Sequence, residues 1–233
     1  PFKMTTEQSN PDEICEEGLH YLFGEGVDKN LEKAKQYFEE AAIGGSSRAL
    51  YYLGEMYFWG DIESNKQKAV TYYKRSAKEG YSYAQHALGF AYQYGGGVKT
   101  NLSKALKLYR LAAEQGHAEA ENRLGNAYRF GEGVTKDKDE AFKWYRHSAE
   151  NGNSHGQVNL GACYCDGNGV ERDINKANYW WRRSAKQGYS QAQVNLGYSY
   201  KLGEGVEKNQ DMAMKWFRLA AQQGHQDAKR YFH

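Results

Sequence analysis

The chain has 233 residues, a mean hydropathy of −0.91 and a formal charge of +2 from 31 basic and 29 acidic residues. The two signs are interspersed, so the concentrated basic stripe that binds nucleic acid is missing, and no run approaches the roughly 20 apolar residues of a membrane span. The low hydropathy fits a thin, elongated body whose core draws on Ala, Leu and the 20 Tyr, 9 Phe and 5 Trp, because tyrosine ranks as hydrophilic while burying a large ring.

The first residues, PFKMTTEQSN, lack the apolar stretch of a signal peptide. Residues 1–12 read as an extension, partly vector-derived if Met4 is the native start. The expected location is soluble, either cytoplasmic or exported after loss of a leader.

From residue 13 onward one unit recurs. Gly18, Gly54, Gly89, Gly125, Gly161 and Gly197 are 36 residues apart, except for 35 between Gly54 and Gly89, and Ala34, Ala69, Ala105, Ala141, Ala177 and Ala213 follow in step. A period of this length signals stacked repeats that bury their apolar faces only against neighbours. The predicted repeats are 13–48, 49–83, 84–119, 120–155, 156–191 and 192–227, with 228–233 the start of a seventh or of a cap.

Each repeat is predicted to be two helices. In the fourth, Ala120, Leu124 and Tyr128 form one stripe of helix A. Gly125, without a Cβ, lets another helix approach. Helix A ends at a Gly-x-Gly-Val turn: Gly24 to Val27, Gly95 to Val98, Gly131 to Val134, Gly167 to Val170 and Gly203 to Val206. The glycines take left-handed angles and the valine plugs the gap between helices. No strand precedes these turns and no Gly-Lys-Ser/Thr follows, which argues against a phosphate loop.

Asn30, Asn65, Asn101, Asp137, Asp173 and Asn209 are predicted N-caps of helix B. Its bulky pairs, Tyr37-Phe38, Tyr72-Tyr73, Leu108-Tyr109, Trp144-Tyr145, Trp180-Trp181 and Trp216-Phe217, are the expected knobs of the core. Gly45, Gly80, Gly116, Gly152, Gly188 and Gly224 close it, and the two helices run antiparallel. In the second repeat Gly60-Asp61-Ile62 replaces the usual turn, one residue shorter, and Asn65 restores the register. At the far end an uncapped apolar face invites weak self-association of an otherwise monomeric chain.

Leu-Gly-x-x-Tyr, Gly-x-Gly-Val, the capping Asn/Asp, Ala-x-x-Trp-Tyr and Ala-Ala-x-x-Gly, held in a 36-residue period over residues 13–227, closely resemble the Sel1-like repeat family, a relative of the tetratricopeptide repeats. The resemblance implies an all-α fold, a right-handed α/α superhelical solenoid of six helix-turn-helix repeats. It also implies a scaffold or adaptor, often bacterial, tied to host interaction, secretion, signalling or immunity to a toxin. A cysteine-rich branch described as penicillin-binding or β-lactamase-like carries a disulfide in each repeat, so a hydrolase of that kind is the alternative. Here Cys15, Cys163 and Cys165 do not recur with the repeat and read as structural thiols.

The seven histidines form no ligand set; there is no His-Glu-x-x-His, no Cys-x-x-Cys and no Gly-x-Ser-x-Gly elbow. No metal, cofactor or catalytic residue is therefore assigned. A protein or peptide partner is expected on helix-A positions that the core does not use. The first half of that surface offers the aromatics Tyr51, Tyr52, Phe58 and Phe90 with His86. The centre offers Asn122, Arg123, Asn126 and Arg129, followed by Asn159, Asn195 and Tyr198. Arg123, Asn159 and Asn195 share one register and suggest a ladder whose amides bond an extended peptide, with Arg123 and Arg129 taking a carboxylate. Tyr51, Phe58 and Phe90 would anchor apolar side chains. The competing reading is that the asparagines bond neighbouring helices and the aromatics cover the stacking interface.

Overall fold

The computed structural model describes residues 10–232, and every regular element among them is a helix. Met4 and most of the N-terminal extension, with His233, lie outside the described residues. The chain divides into two compact units, Pro1–Ala112 and Ala113–His233. The first contains the hairpins α1 (Pro11–Phe23) with α2 (Leu31–Ile43), α3 (Ser47–Trp59) with α4 (Lys66–Lys78), and α5 (Ser82–Tyr94) with all but the last residue of α6 (Leu102–Ala113). The second contains α7 (Ala118–Phe130) with α8 (Lys138–Glu150), α9 (Ser154–Asp166) with α10 (Ile174–Lys186), α11 (Ser190–Leu202) with α12 (Gln210–Gln222), and the short α13 (Gln226–Lys229). No helix among the described residues is long and apolar enough to cross a membrane.

Each hairpin is closed at the turn by the expected cap. The capping side chain accepts a backbone N–H inside helix B, as Asn30 does from Lys33, Asn65 from Lys68 and Asn209 from Met212. Its own N–H reaches back to a helix-A tyrosine carbonyl: Asn30 to Tyr21, Asn101 to Tyr92, Asp137 to Tyr128 and Asp173 to Tyr164, all at 2.8–2.9 Å. The shortened second turn keeps the same bond, Asn65 to Tyr57 at 2.9 Å, and Ile62 packs where the other turns place valine. At the opposite end, small helix-B residues meet the start of helix A. Ser76, Ser148 and Ser184 donate to the carbonyls of Ser47, Ala118 and Ser154 at 2.6, 2.7 and 2.9 Å. Contacts at both ends fix the antiparallel pairing.

Between those ends the helix-A glycine admits a helix-B ring, and at Gly89 and Gly161 the helix-B backbone as well: a Cβ there would stand 3.3 Å from the Ala105 carbonyl oxygen and 3.1 Å from that of Ala177. A Cβ on Gly125 would stand 2.5 Å from the Tyr145 ring, and Gly18, Gly54, Gly89, Gly161 and Gly197 face Phe38, Tyr73, Tyr109, Trp181 and Phe217 as closely. Only the second member of each bulky pair is therefore a core knob; Tyr37, Tyr72, Leu108, Trp144, Trp180 and Trp216 remain half-buried. In the turns, Gly131 and Gly133 adopt φ of 75° and 74°, conformations that a side chain disfavours.

Within each unit consecutive repeats stack. Val158 packs with Ala177, Trp181, Ala192 and Leu196, and Val194 with Ala213, Phe217 and Ala228. Cys15 sits likewise among Phe38, Ala49 and Leu53. Val98 and Val170 join the core as expected, whereas Val27 is 40% exposed. The C-terminal apolar face is partly covered, because Tyr231 stacks flat on Phe217 with centroids 4.1 Å apart.

Candidate functional site

Helix A offers its neighbours more than one face, and this alters the role of several predicted surface residues. Asn122 and Phe58 are 3% and 6% exposed, so neither lies on an accessible surface. Both are covered by the following repeat: Phe58 by Gly96 and Phe90, and Asn122 by Asn159, whose Nδ2 donates to the Asn122 Oδ1 at 2.9 Å. A helical wheel drawn on one helix counts two buried stripes as one.

Asn126 is spent on the core. The Tyr145 hydroxyl donates to its Oδ1 at 2.8 Å. The same need appears wherever the buried knob is a tyrosine: Tyr109 donates to Gln93 at 2.8 Å, and Tyr73 to Glu55 at 2.6 Å. Burying a hydroxyl without a partner costs about 1–3 kcal/mol, so a nearby helix-A side chain must accept. Glu55 also accepts from Trp59 Nε1 at 3.2 Å, and burial still holds its carboxyl above the ordinary range.

The three residues of the ladder already have partners within the chain. Arg123 pairs with Glu119 on its own helix at 3.3 Å, Asn159 is bonded to Asn122, and Asn195 is engaged by Gln191 at 3.1 Å. Their polar groups satisfy one another because helix A places residues four apart on one face and the next helix A beside it.

Accessible residues remain in both units. In the first, Tyr51 contacts Tyr52, Tyr81 and Tyr83, with ring centroids 5.1, 5.5 and 5.9 Å away. Tyr52 stacks on Phe38 and carries the Arg48 guanidinium, which is bonded to Glu16. His86 leans on Tyr109, and Phe90 on Tyr94. In the second, Tyr198 is 38% exposed against Phe217 and Tyr231. Arg129, from the predicted list, opens onto a cleft of about 350 Å³ together with Lys136 and Lys138. Both lysines lie outside helix A, and their signal in the sequence is a basic pair flanking the Asp137 cap.

The cysteines are free. Burial pushes the Cys15 and Cys163 thiols up to about 11, so neither is an activated nucleophile at neutral pH. His117 caps α7 through Nδ1, which accepts from the Ala120 N–H at 3.3 Å; burial lowers its pKa. Among the described residues no three His, Cys, Asp or Glu side chains converge as a metal site.

The Sel1 repeat matches six consecutive segments of the chain, residues 18–46, 47–81, 82–117, 118–153, 154–189 and 190–225. No curated protein matches. Among solved structures, a protective antigen of uropathogenic Escherichia coli, c5321, with an SLR fold, is 34% identical with a TM-score of 0.81. The match covers 97% of this chain and 48% of that one, so this chain spans about half of its length. A Sel1 repeat protein from Oxalobacter formigenes is 36% identical with a TM-score of 0.81, covering 91% of this chain and 85% of that one. The immunity protein Pa5087 of Pseudomonas aeruginosa shares the fold, at 24% identity and a TM-score of 0.54 over 78% of this chain and 67% of that one.

Proposed function

We propose that this chain, which belongs to the Sel1 repeat family, is a non-catalytic scaffold that binds a protein or peptide on its helix-A surfaces. One observation carries the reading. The helix-A glycine, the helix-B alanine and the capping Asn or Asp recur in all six repeats, while partly accessible helix-A residues vary: Tyr52, Ala87, Arg123 and Asn195 share a register and differ in size, charge and polarity. A stacked scaffold that needs only its recurring residues leaves the others to specify a partner.

Within this reading the first unit supplies aromatic anchors, Tyr51, Tyr52 and Phe90 beside His86, and the second supplies Arg123, Arg129, Asn195 and Tyr198. Asn122, Asn126, Asn159 and Phe58 support them from within. The likeness to c5321 favours a bacterial setting and a role in encounters with another organism; the immunity-protein fold is compatible with binding a toxin.

The test is a pull-down with the chain as bait, followed by affinity measurements on the recovered partner. Tyr51→Ala with Phe90→Ala, and separately Arg129→Ala, are expected to weaken binding at least tenfold without loss of helicity. Undiminished affinity in both variants would sink the assignment of this surface. Turnover of a chromogenic β-lactam that copurifies with the chain and is abolished by a point substitution would replace the scaffold with a hydrolase.

A further inference from the structure

The same place between consecutive repeats is sealed in one unit and open in the other. In the first unit Phe58, four residues after Gly54, meets Phe90, one after Gly89, edge to face with centroids 6.3 Å apart. Phe58 also lies against Tyr73 and Gly96. In the second unit the corresponding residues are Arg129, four after Gly125, and Ala162, one after Gly161. Two rings are replaced by a long cation and a methyl group. What remains is the cleft of about 350 Å³, floored by Tyr145, Ala141 and Cys163. Its size is at the lower end for a small-ligand pocket.

The charge in this cleft is one-sided. Arg129 comes from the last turn of α7, Lys136 from the following turn and Lys138 from the start of α8; Asp166 opposes them. Among the described residues none of these three cations has a carboxylate within ion-pair distance. The Arg129 guanidinium lies 5.1 Å from the centre of the Phe130 ring and also reaches the Tyr145 hydroxyl, so part of its N–H fork is left for a ligand. Its field already acts on the floor: it opposes the rise that burial imposes on the Tyr145 and Cys163 pKa values.

The walls are held. A Cβ on Gly169 would collide with the Lys138 carbonyl and approach the Phe142 side chain to 2.9 Å, so the turn carrying Asn168 is seated directly on the start of α8. Asn168 lines the cleft with an amide whose Nδ2 lies 3.5 Å from the Asp166 carboxylate and whose Oδ1 can accept from a peptide N–H. An apolar floor, a rim with two more cations than anions and one amide match a singly charged group on an apolar stem. A dianion would meet Asp166.

We infer that this cleft takes a carboxylate borne on a short apolar peptide segment, as an acidic side chain or a free C-terminus. This deepens the scaffold reading, and the probes below test the cleft alone, so their failure would leave the partner-binding surface to the pull-down.

The experiment is a titration of the ¹⁵N-labelled full chain, followed through its amide resonances. The probes are N-acetyl-Leu-Glu-amide, N-acetyl-Leu-Gln-amide, N-acetyl-Ala-Leu with a free carboxylate, and inorganic phosphate. At least one carboxylate probe is expected to shift Ala162, Cys163 and Asn168 saturably at millimolar concentration, with the glutamine analogue at least tenfold weaker. Whichever carboxylate binds more tightly identifies the source as side chain or chain end. Arg129→Phe with Ala162→Phe, which rebuilds the seal of the first unit, should lower that affinity at least tenfold while helical circular dichroism is retained. Arg129→Gln serves if the double variant misfolds. Equal binding of the glutamine analogue, tighter binding of phosphate, no saturable shift, or unchanged affinity in the folded variants would each overturn the assignment.

Discussion

The junction between the second and third repeats and the junction between the fourth and fifth use one backbone for two ends. Both seat a tyrosine on a helix-A glycine, Tyr73 on Gly54 and Tyr145 on Gly125, and both pack the last glycine of the next turn, Gly97 or Gly169, on a lysine carbonyl. They part at two side chains. Phe58 and Phe90 close the first, while Arg129 and Ala162 leave the second open and charged. The lesson is that stability and specificity occupy separate positions in the repeat, so one can vary while the other is held.

The largest effects should be shared by the two junctions. Tyr73→Ala and Tyr145→Ala each remove a fully buried ring and are expected to cost about 3–5 kcal/mol, read from urea denaturation. Costs differing by more than the error of that measurement would break the equivalence. The next substitutions should separate the junctions. Phe58→Ala is expected to cost about 3 kcal/mol, whereas Arg129→Ala should change stability by about 0.5 kcal/mol or less. A large cost at Arg129 would make it part of the packing instead of an open binding group.

Gly125→Ala forces a methyl group into the Tyr145 ring and should cost about 1–3 kcal/mol. Ring and backbone have no slack there, so a neutral outcome in thermal melting would show that the ring does not set the helix spacing. Asn65→Ala removes one N-cap bond, with an expected loss of about 1 kcal/mol. An undiminished melting temperature would mean that the backbone bond to Tyr57 closes the short turn unaided.

The smallest effect concerns pH. His117 must stay neutral to accept the Ala120 N–H, and burial lowers its folded pKa. The unfolded chain therefore binds the proton first, near the ordinary value of about 6.5. Stability from this group is full above that pH and is lost as pH falls from it toward the lowered folded value. His117→Asn, the residue used at the equivalent Asn153, should flatten this part of the pH profile. A profile unchanged by the substitution would assign the slope to other groups.

The parts of the fold that were legible in the sequence are those whose cause is local. Asn65 and Asn30 announce a cap by type and spacing, and Gly131 marks a helix end because only its backbone freedom fits. The surface was harder to read, since burial there depends on a third helix. Phe58 and Asn122 are covered by residues about 30 to 40 positions later, and no wheel drawn on α3 or α7 contains those partners. Asn126 is legible only as one half of a pair: the need for an acceptor arises from the Tyr145 hydroxyl, on another helix. Lys136 and Lys138 stand on a turn and a helix start, where the repeat pattern marks only the cap between them.

The bond from the capping residue back to the helix-A tyrosine is kept at 2.9 Å in the second repeat although that turn is a residue shorter. It isolates the intervening loop mechanically, as a splice isolates the slack in a rope. The loop between Gly203 and Asn209 is one such loop, closed by the Asn209 bond to Tyr200. A tag or fluorophore inserted there should ride on the molecule without shifting either helix, which makes these loops the natural handles for labelling the chain.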